Sequence, residues 1–196
     1  MIGIVNYGAG NIFSLTAALD RIGVGYGMIH VPEDFDQYDR IIIPGVGHAG
    51  AAMQKLRDSG LVDTILELKK PVLGICVGMQ LLTAFSEEGN AAMLAIFPMH
   101  TLHFSSRVDE KVPHVGWNSV QVENNCPLFT NIPDNTYFYF VHSFFVAHNA
   151  SFSGAVCHYG LPFSVAVQKD NFYGVQFHPE KSGKLGEQLL LNFSKL

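Results

Sequence analysis

The chain has 196 residues, 48% hydrophobic and 15% charged, so it can bury a large core and is not typical of a disordered protein. Its formal net charge of −5 provides no general attraction to phosphate backbones, which argues against nucleic-acid binding. No apolar run approaches membrane-spanning length and the N-terminus shows no secretory pattern, so we expect a cytoplasmic protein without a membrane segment.

The first half of the chain alternates short apolar runs with residues at helical spacing. The predicted elements are a strand over 2–5, a helix over 12–22, a weaker strand over 24–31, a strand that stops at Pro44, helices near 49–57 and 61–69, and a strand over 71–76. Asn11 is placed to cap the first helix. This order is typical of βαβ units and predicts a mostly parallel sheet covered on both faces.

The second half of the chain changes to strand patterns. Its predicted elements are an alternating strand over 117–123, an aromatic run over 137–145 assigned to the core, two strands joined by a polar turn within 162–178, and a final helix within 183–196. His142, in the aromatic run, is interpreted as a packed core histidine. We therefore predict one α/β domain over 1–196, with a mostly parallel central sheet flanked by helices and an antiparallel region in the second half.

The sequence GICVG at 74–78 places Cys76 between two glycines where a strand is predicted to meet a helix. This is the spacing of a nucleophile elbow, with cysteine in place of serine. The helix that follows would favour the thiolate, and the N–H of Val77 could hydrogen-bond a developing oxyanion. The alternative is a buried structural cysteine.

His178 ends an apolar strand and is followed by Pro179 and Glu180. The residue before a proline favours an extended conformation, in which side chains two residues apart point the same way. Glu180 could therefore orient the His178 ring, and His178 could take the proton of Cys76. The alternative is a strand-end histidine beside an incidental acid.

Gly45, Val46 and Gly47 directly follow the strand that stops at Pro44. A glycine-flanked loop at this place supplies a second oxyanion-hole N–H in α/β hydrolases, and Val46 or Gly47 is the candidate here. The alternative is a tight turn without a catalytic role. No metal site is predicted, because the cysteines are few and irregularly spaced and the pair His100 and His103 lacks nearby acidic ligands.

In the order PGVG, GICVGMQLL and HPEKS, these motifs make the chain resemble class I, triad-type glutamine amidotransferases. NYGAGN near the start, VPHVGWN and YFVHSFF extend the similarity to the glutaminase subunits of imidazole glycerol phosphate synthases, which work with a (βα)8-barrel cyclase. The resemblance covers essentially the whole chain. It implies hydrolysis of L-glutamine through a cysteine thioester, without a cofactor, and delivery of ammonia to the cyclase of a heterodimer in histidine biosynthesis.

The resemblance also implies a role for each matching residue. Cys76 would be the nucleophile, His178 the general base and acid, and Glu180 the orienting carboxylate. The implied glutamine contacts are Gly45, Gln80, Glu88, Ser143 and Phe144, and the implied cyclase contacts are Tyr139 and Lys181. The PGVG peptide would reorient when the synthase binds its substrate.

The chain departs from the family pattern over 90–104, where NAAMLAIFPMHTLHF replaces a glycine-rich segment. The structure of that segment is therefore not predicted. Three other functions remain open from the residues: a paralogous glutaminase serving another synthase, such as a sugar-aminating enzyme, a non-catalytic regulatory subunit of the same fold, and a free-standing cysteine hydrolase.

Overall fold

The computed structural model describes all residues, 1–196, and contains thirteen strands and five α-helices. The strands are β1 (Ile2–Val5), β2 (Tyr26–Ile29), β3 (Arg40–Ile43), β4 (Val72–Ile75), β5 (Phe85–Ser86), β6 (Ala91–Ala92), β7 (His100–His103), β8 (His114–Val122), β9 (Thr136–His142), β10 (Phe144–Ala147), β11 (Ser153–Tyr159), β12 (Leu161–Lys169) and β13 (Phe172–Val175). The helices are α1 (Ile12–Arg21), α2 (Ala49–Asp58), α3 (Val62–Glu67), α4 (Val77–Leu81) and α5 (Gly183–Phe193). The longest α-helix, α5, has 11 residues, too few to span a bilayer.

Five adjacent strands form the parallel part of the sheet in the order β2–β1–β3–β4–β13. All four residues of β1 and of β4 are buried, as expected for strands covered by helices on both faces. The predicted parallel α/β core is therefore confirmed. Because parallel strands end at the same edge, the segments after β3, β4 and β13 meet there, which is where open α/β sheets bind ligands.

The second half of the chain builds the antiparallel part, as predicted. Strand β12 pairs with β13, β10 and β11, and β8 pairs with β9 over seven residue pairs. The segment left unpredicted, 90–104, contributes the short strands β6 and β7, and β7 pairs with β10. The structure has a mixed sheet because β12 lies antiparallel to β13.

The aromatic run over 137–145 is core on one face only. It divides at Ser143 into β9 and β10, which pair with different strands. Side chains alternate along β9, so Phe138 and Phe140 are fully buried whereas Tyr137 is 60% exposed. The assignment of the whole run to the core was wrong for this reason. Phe138 stacks on Phe177 at a ring-centroid distance of 4.1 Å, which joins β9 to the segment that carries His178.

Candidate active site

Cys76 lies at the tight junction between β4 and α4. Its backbone has φ 55° and ψ −112°, in a region that costs a non-glycine residue conformational energy. A Cβ atom at Gly78 would collide with the carbonyl oxygen of Ile43, and one at Gly74 would lie 2.5 Å from the carbonyl oxygen of Gly78. The glycines therefore permit close backbone packing, while the strained conformation is that of the cysteine itself.

His178 and Glu180 form a buried pair beside this junction. Nδ1 of His178 lies 2.8 Å from Oε1 of Glu180, and the two side chains are 2% and 4% exposed. His178 is extended, as predicted, and its N–H donates to the Tyr139 carbonyl at 3.0 Å. The pairing with Glu180 leaves Nε2 of His178 facing Cys76.

The charge state of His178 depends on this pairing. Burial disfavours the imidazolium, but hydrogen bonds to Cys76 and Glu180, together with their negative charges, outweigh burial and raise the pKa of His178 from 6.5 to about 10. The arrangement therefore places the His178 imidazole next to Cys76, where it can accept the cysteine proton.

The PGVG loop contacts the nucleophile junction directly. The N–H of Val77 donates to the carbonyl of Gly45 at 3.3 Å, and a Cβ at Gly45 would lie 2.6 Å from the nitrogen of Gly78. Since C=O and N–H of a trans peptide point in opposite directions, the N–H of Val46 points away from Val77. The loop thus lies beside the predicted oxyanion site with a carbonyl, rather than a donor, turned towards it.

A cavity of about 710 Å³ opens at this edge of the sheet. The predicted site residues that line it are Val46, Gly47, Cys76, Val77, Gln80, Glu88, Ser143, Phe144, His178 and Lys181. Gly45, Tyr139 and Glu180 lie behind or beside its wall. The cavity is also lined by Gly10, Asn11, Pro113, Val141 and His142, which lie in the motifs NYGAGN, VPHVGWN and YFVHSFF but were given no site role from the sequence. Asn11 caps α1 as predicted, accepting from the N–H of Ser14.

Two of the predicted glutamine contacts already have partners in the chain. An oxygen of Glu88 accepts from the N–H of Ala49, the first residue of α2, at 2.6 Å. Gln80 donates through Nε2 to the Phe144 carbonyl at 3.3 Å and to Oε1 of Gln176 at 3.0 Å. Its Oε1 is buried without a hydrogen-bond partner.

His142 is buried as predicted, but it belongs to a hydrogen-bonded pair that sequence reasoning missed. Its Nε2 lies 2.9 Å from Nδ1 of His114, and its Nδ1 lies 2.7 Å from the carbonyl of Phe144. A carbonyl only accepts, so His142 carries its proton on Nδ1 and accepts from His114. Burial lowers the pKa of His142 to about 3 and that of His114 to about 4, which keeps both rings neutral.

An apolar surface lies next to the cavity mouth. It consists of Val115, Trp117, Tyr137, Tyr139 and Val141, which share one face of the β8–β9 pair and which we call the β8–β9 face. Trp117 and Tyr139 are directly opposite each other, with an edge-on ring distance of 6.1 Å. Val141 also lines the cavity, as does the exposed Lys181, so this face is continuous with the site. Exposed apolar patches of this kind mark interaction sites.

Comparison with known proteins places this arrangement in context. The profile of the family Glutamine amidotransferase class-I matches residues 4–195. The chain is 47% identical over 195 residues to Imidazole glycerol phosphate synthase subunit HisH of Haemophilus influenzae, covering 98% of this chain and 96% of that one. It is 45% identical over 196 residues to the protein of the same name from Bacteroides fragilis, with 100% and 99% covered.

The fold has close counterparts among solved structures. One of them is the structure of PurLQS from Thermotoga maritima, with a TM-score of 0.72 and 21% identity, covering 98% of this chain and 96% of that one. At that identity the likeness concerns the fold alone.

Proposed function

Because the chain belongs to the class I glutamine amidotransferase family, we propose that it is the glutaminase subunit of an imidazole glycerol phosphate synthase, with residues 1–196 forming one glutaminase domain. It hydrolyses L-glutamine to glutamate and ammonia. The observation that carries this proposal is that a strained cysteine and His178 line one cavity, with His178 held by the buried Glu180.

Catalysis begins with transfer of the Cys76 proton to Nε2 of His178. The thiolate then attacks the side-chain amide carbon of glutamine, and His178 returns the proton to the departing nitrogen, which leaves as ammonia. The product of this half-reaction is a thioester on Cys76. His178 next takes a proton from water, the hydroxide attacks the thioester, and glutamate leaves as the sulfur recovers its proton. Glu180 holds the imidazole in the required tautomer throughout.

The oxyanion of each tetrahedral intermediate needs donors that the PGVG loop does not present while the Gly45 carbonyl accepts from Val77. Rotation of the Gly45–Val46 peptide would turn the N–H of Val46 inward and release the N–H of Val77. Gly47, which lies in open space at φ 85°, permits this movement of the loop. Val46, Gly47 and Val77 are therefore the proposed oxyanion donors.

The substrate is held by groups that surround the sulfur. Gln80 lines the cavity wall, and Glu88 offers a carboxylate to the glutamine α-amino group. The backbones of Ser143 and Phe144 line the opposite side, and Gly45 supports the loop. No metal or organic cofactor enters this mechanism.

The partner is the (βα)8-barrel cyclase of the same synthase, in a heterodimer located in the cytoplasm. The β8–β9 face provides the apolar contact, with Tyr139 at its centre and Lys181 at the cavity mouth. Ammonia released at Cys76 then enters the cyclase, which makes imidazole glycerol phosphate and aminoimidazole carboxamide ribotide in histidine biosynthesis.

The test is glutamine-dependent synthesis by the reconstituted heterodimer. Cys76→Ala should abolish it while synthesis from added ammonium salts persists, and the matched control Cys157→Ala should retain it. Glutamine-dependent synthesis by the Cys76→Ala protein would overturn the proposal. Labelling with a glutamine-analogue electrophile separates the alternatives, because a non-catalytic subunit leaves Cys76 unlabelled even when the partner is present. Turnover that rises with a different synthase would assign the chain to that enzyme.

A further inference from the structure

Gln176 is a buried polar side chain to which the mechanism above gives no role. It follows β13 directly, two residues before His178, and is 0% exposed. Its Nε2 lies 3.8 Å from Sγ of Cys76, within hydrogen-bonding reach of a large sulfur acceptor, and its Oε1 accepts from Gln80 at 3.0 Å. A buried amide held at both ends in this way has one fixed position.

The Phe144 carbonyl determines which end of Gln176 faces the sulfur. A carbonyl only accepts, so the Gln80 atom at 3.3 Å from it is the NH₂ group. That NH₂ group also contacts Gln176, which must therefore present its oxygen to Gln80. The remaining end of Gln176, its NH₂ group, faces Cys76. The tautomer of His142, which also donates to the Phe144 carbonyl, is consistent with this assignment.

We propose that Gln176 is a further catalytic residue, whose side-chain N–H donates to the sulfur of Cys76 and stabilises its thiolate. The inference rests on the proposed function of Cys76 as nucleophile and adds a donor to it. A hydrogen bond to an ionised sulfur favours the charged form. The same N–H stabilises the sulfur when it leaves during hydrolysis of the thioester, since a thiol of lower pKa leaves faster.

The helix after Cys76 is a weaker source of stabilisation than the sequence indicated. Helix α4 has five residues, and the N–H of Val77 is engaged with the Gly45 carbonyl. The N–H groups of Met79 and Gln80 donate to the carbonyl of Cys76 rather than to its sulfur. The Gln176 side chain thus provides the hydrogen bond to the sulfur that N–H groups in the first turn of a longer helix would provide.

The test compares alkylation of Cys76 by iodoacetamide as a function of pH in the isolated full chain and in Gln176→Met, which is similar in size but has no donor. The expected result is a half-alkylation pH about one unit higher in the variant, the value of one charged hydrogen bond. The matched control Gln168→Met, at a partly exposed glutamine on β12, should follow the unsubstituted chain. Burial raises the pKa of Cys126 and Cys157 to about 12, so alkylation below that range reports Cys76.

A second measurement needs no substitution at Gln176. In ¹⁵N-labelled protein the side-chain amide signal of Gln176 should shift as Cys76 titrates, and this shift should be absent in Cys76→Ala. The inference would be overturned if Gln176→Met and the unsubstituted chain had the same alkylation profile. It would also be overturned if the amide signal of Gln176 did not shift as Cys76 titrates. Neither result would contradict Cys76 as the nucleophile. Failure of Cys76 to react in the unsubstituted chain would instead contradict the proposed function.

Discussion

The N–H of Val77 donates to the carbonyl of Gly45 at 3.3 Å, and this bond occupies a donor that the proposed mechanism requires. The same two residues lie beside a thiol that is already paired with His178. The proposed nucleophile therefore already contacts its base in the isolated chain, whereas the proposed oxyanion site lacks a free donor.

The rate of glutamine hydrolysis and the rate of Cys76 alkylation should therefore respond differently to the cyclase. The isolated chain is expected to react with iodoacetamide, which needs no oxyanion donor, but to hydrolyse glutamine slowly. Addition of the cyclase and its substrate should raise turnover about 10²-fold or more, the value of one oxyanion donor, with little change in alkylation rate. Parallel measurement of both rates provides the check, and a proportional rise of the two would contradict the explanation.

Glu180→Gln should destabilise the chain in a pH-dependent manner. The pKa of His178 is higher in the folded chain than in the unfolded chain. The imidazolium therefore stabilises the fold fully below pH 6.5, and this stabilisation is lost as the pH rises through about 10. The variant should therefore lose about 1–3 kcal/mol of unfolding free energy near pH 6.5, and progressively less as the pH approaches about 10. Urea unfolding across this pH range measures the difference.

A matched control for that experiment is Glu123→Gln. Glu123 also contacts a histidine, His148, at 3.2 Å, but both side chains are about one-third exposed. Such surface pairs contribute about 0–1 kcal/mol, so this variant should change stability little. A loss for Glu180→Gln that stays constant over the pH range would contradict the assigned charge of His178.

Gly78→Ala should lower the free energy of unfolding more than the same substitution at an exposed glycine. The added Cβ of Gly78→Ala meets the backbone of Ile43, which cannot move without displacing β3, and a cost of about 3 kcal/mol is expected. Gly60→Ala is the control, because its Cβ meets nothing within 4 Å and only its φ of 72° opposes substitution, at about 1–2 kcal/mol. Equal losses of unfolding free energy in the two variants, measured by denaturant unfolding, would contradict the cost expected from the contact with Ile43.

The neutral pair His114 and His142 should make the chain sensitive to acid. Because burial lowers both pKa values, the two histidines bind protons in the unfolded chain at a pH where they stay neutral in the folded chain. The free energy of unfolding therefore falls as the pH drops from 6.5 towards about 4. The double variant His114→Phe/His142→Phe should show a shallower fall of Tm over this range. The matched control is His158→Phe, at an exposed histidine on β11, which should leave the fall of Tm unchanged.

Trp117→Ala should weaken binding of the cyclase without unfolding the chain. Trp117 is 55% exposed and lies at the centre of the β8–β9 face, where a large aromatic residue is a typical hot spot. We expect Kd to rise about 30-fold, measured by titration calorimetry. Leu66→Ala on α3 is the control, since Leu66 is 44% exposed and does not line the cavity. Equal affinities for the two variants would place the interface elsewhere.

Motif residues close in sequence were predictable because local geometry alone brings them together. His178 and Glu180 are two residues apart, and they do form the expected contact. His178 is extended as expected before a proline, but Pro179–Lys181 form a 3₁₀ helix rather than an extended segment. Strands β1 to β4 were predictable because they are short apolar runs in the half of the chain that also shows helical patterns, whereas β13 follows an antiparallel partner. The exposed side of β9 was missed, since an aromatic run shows no polar alternation when its outer face is apolar as well.

The sequence by itself determined the alternation of strand and helix patterns in the first half, the strand-to-helix position of Cys76 and the proximity of His178 to Glu180, because each depends on residues within a few positions of one another. Only the tertiary structure decided that Gln176, 100 residues from Cys76, points a donor at its sulfur, and that the Gly45 carbonyl holds the N–H of Val77. The physical reason is that hydrogen-bond partners distant in sequence, and the direction in which a peptide faces, depend on how β3, β4 and β13 pack side by side and have no local pattern.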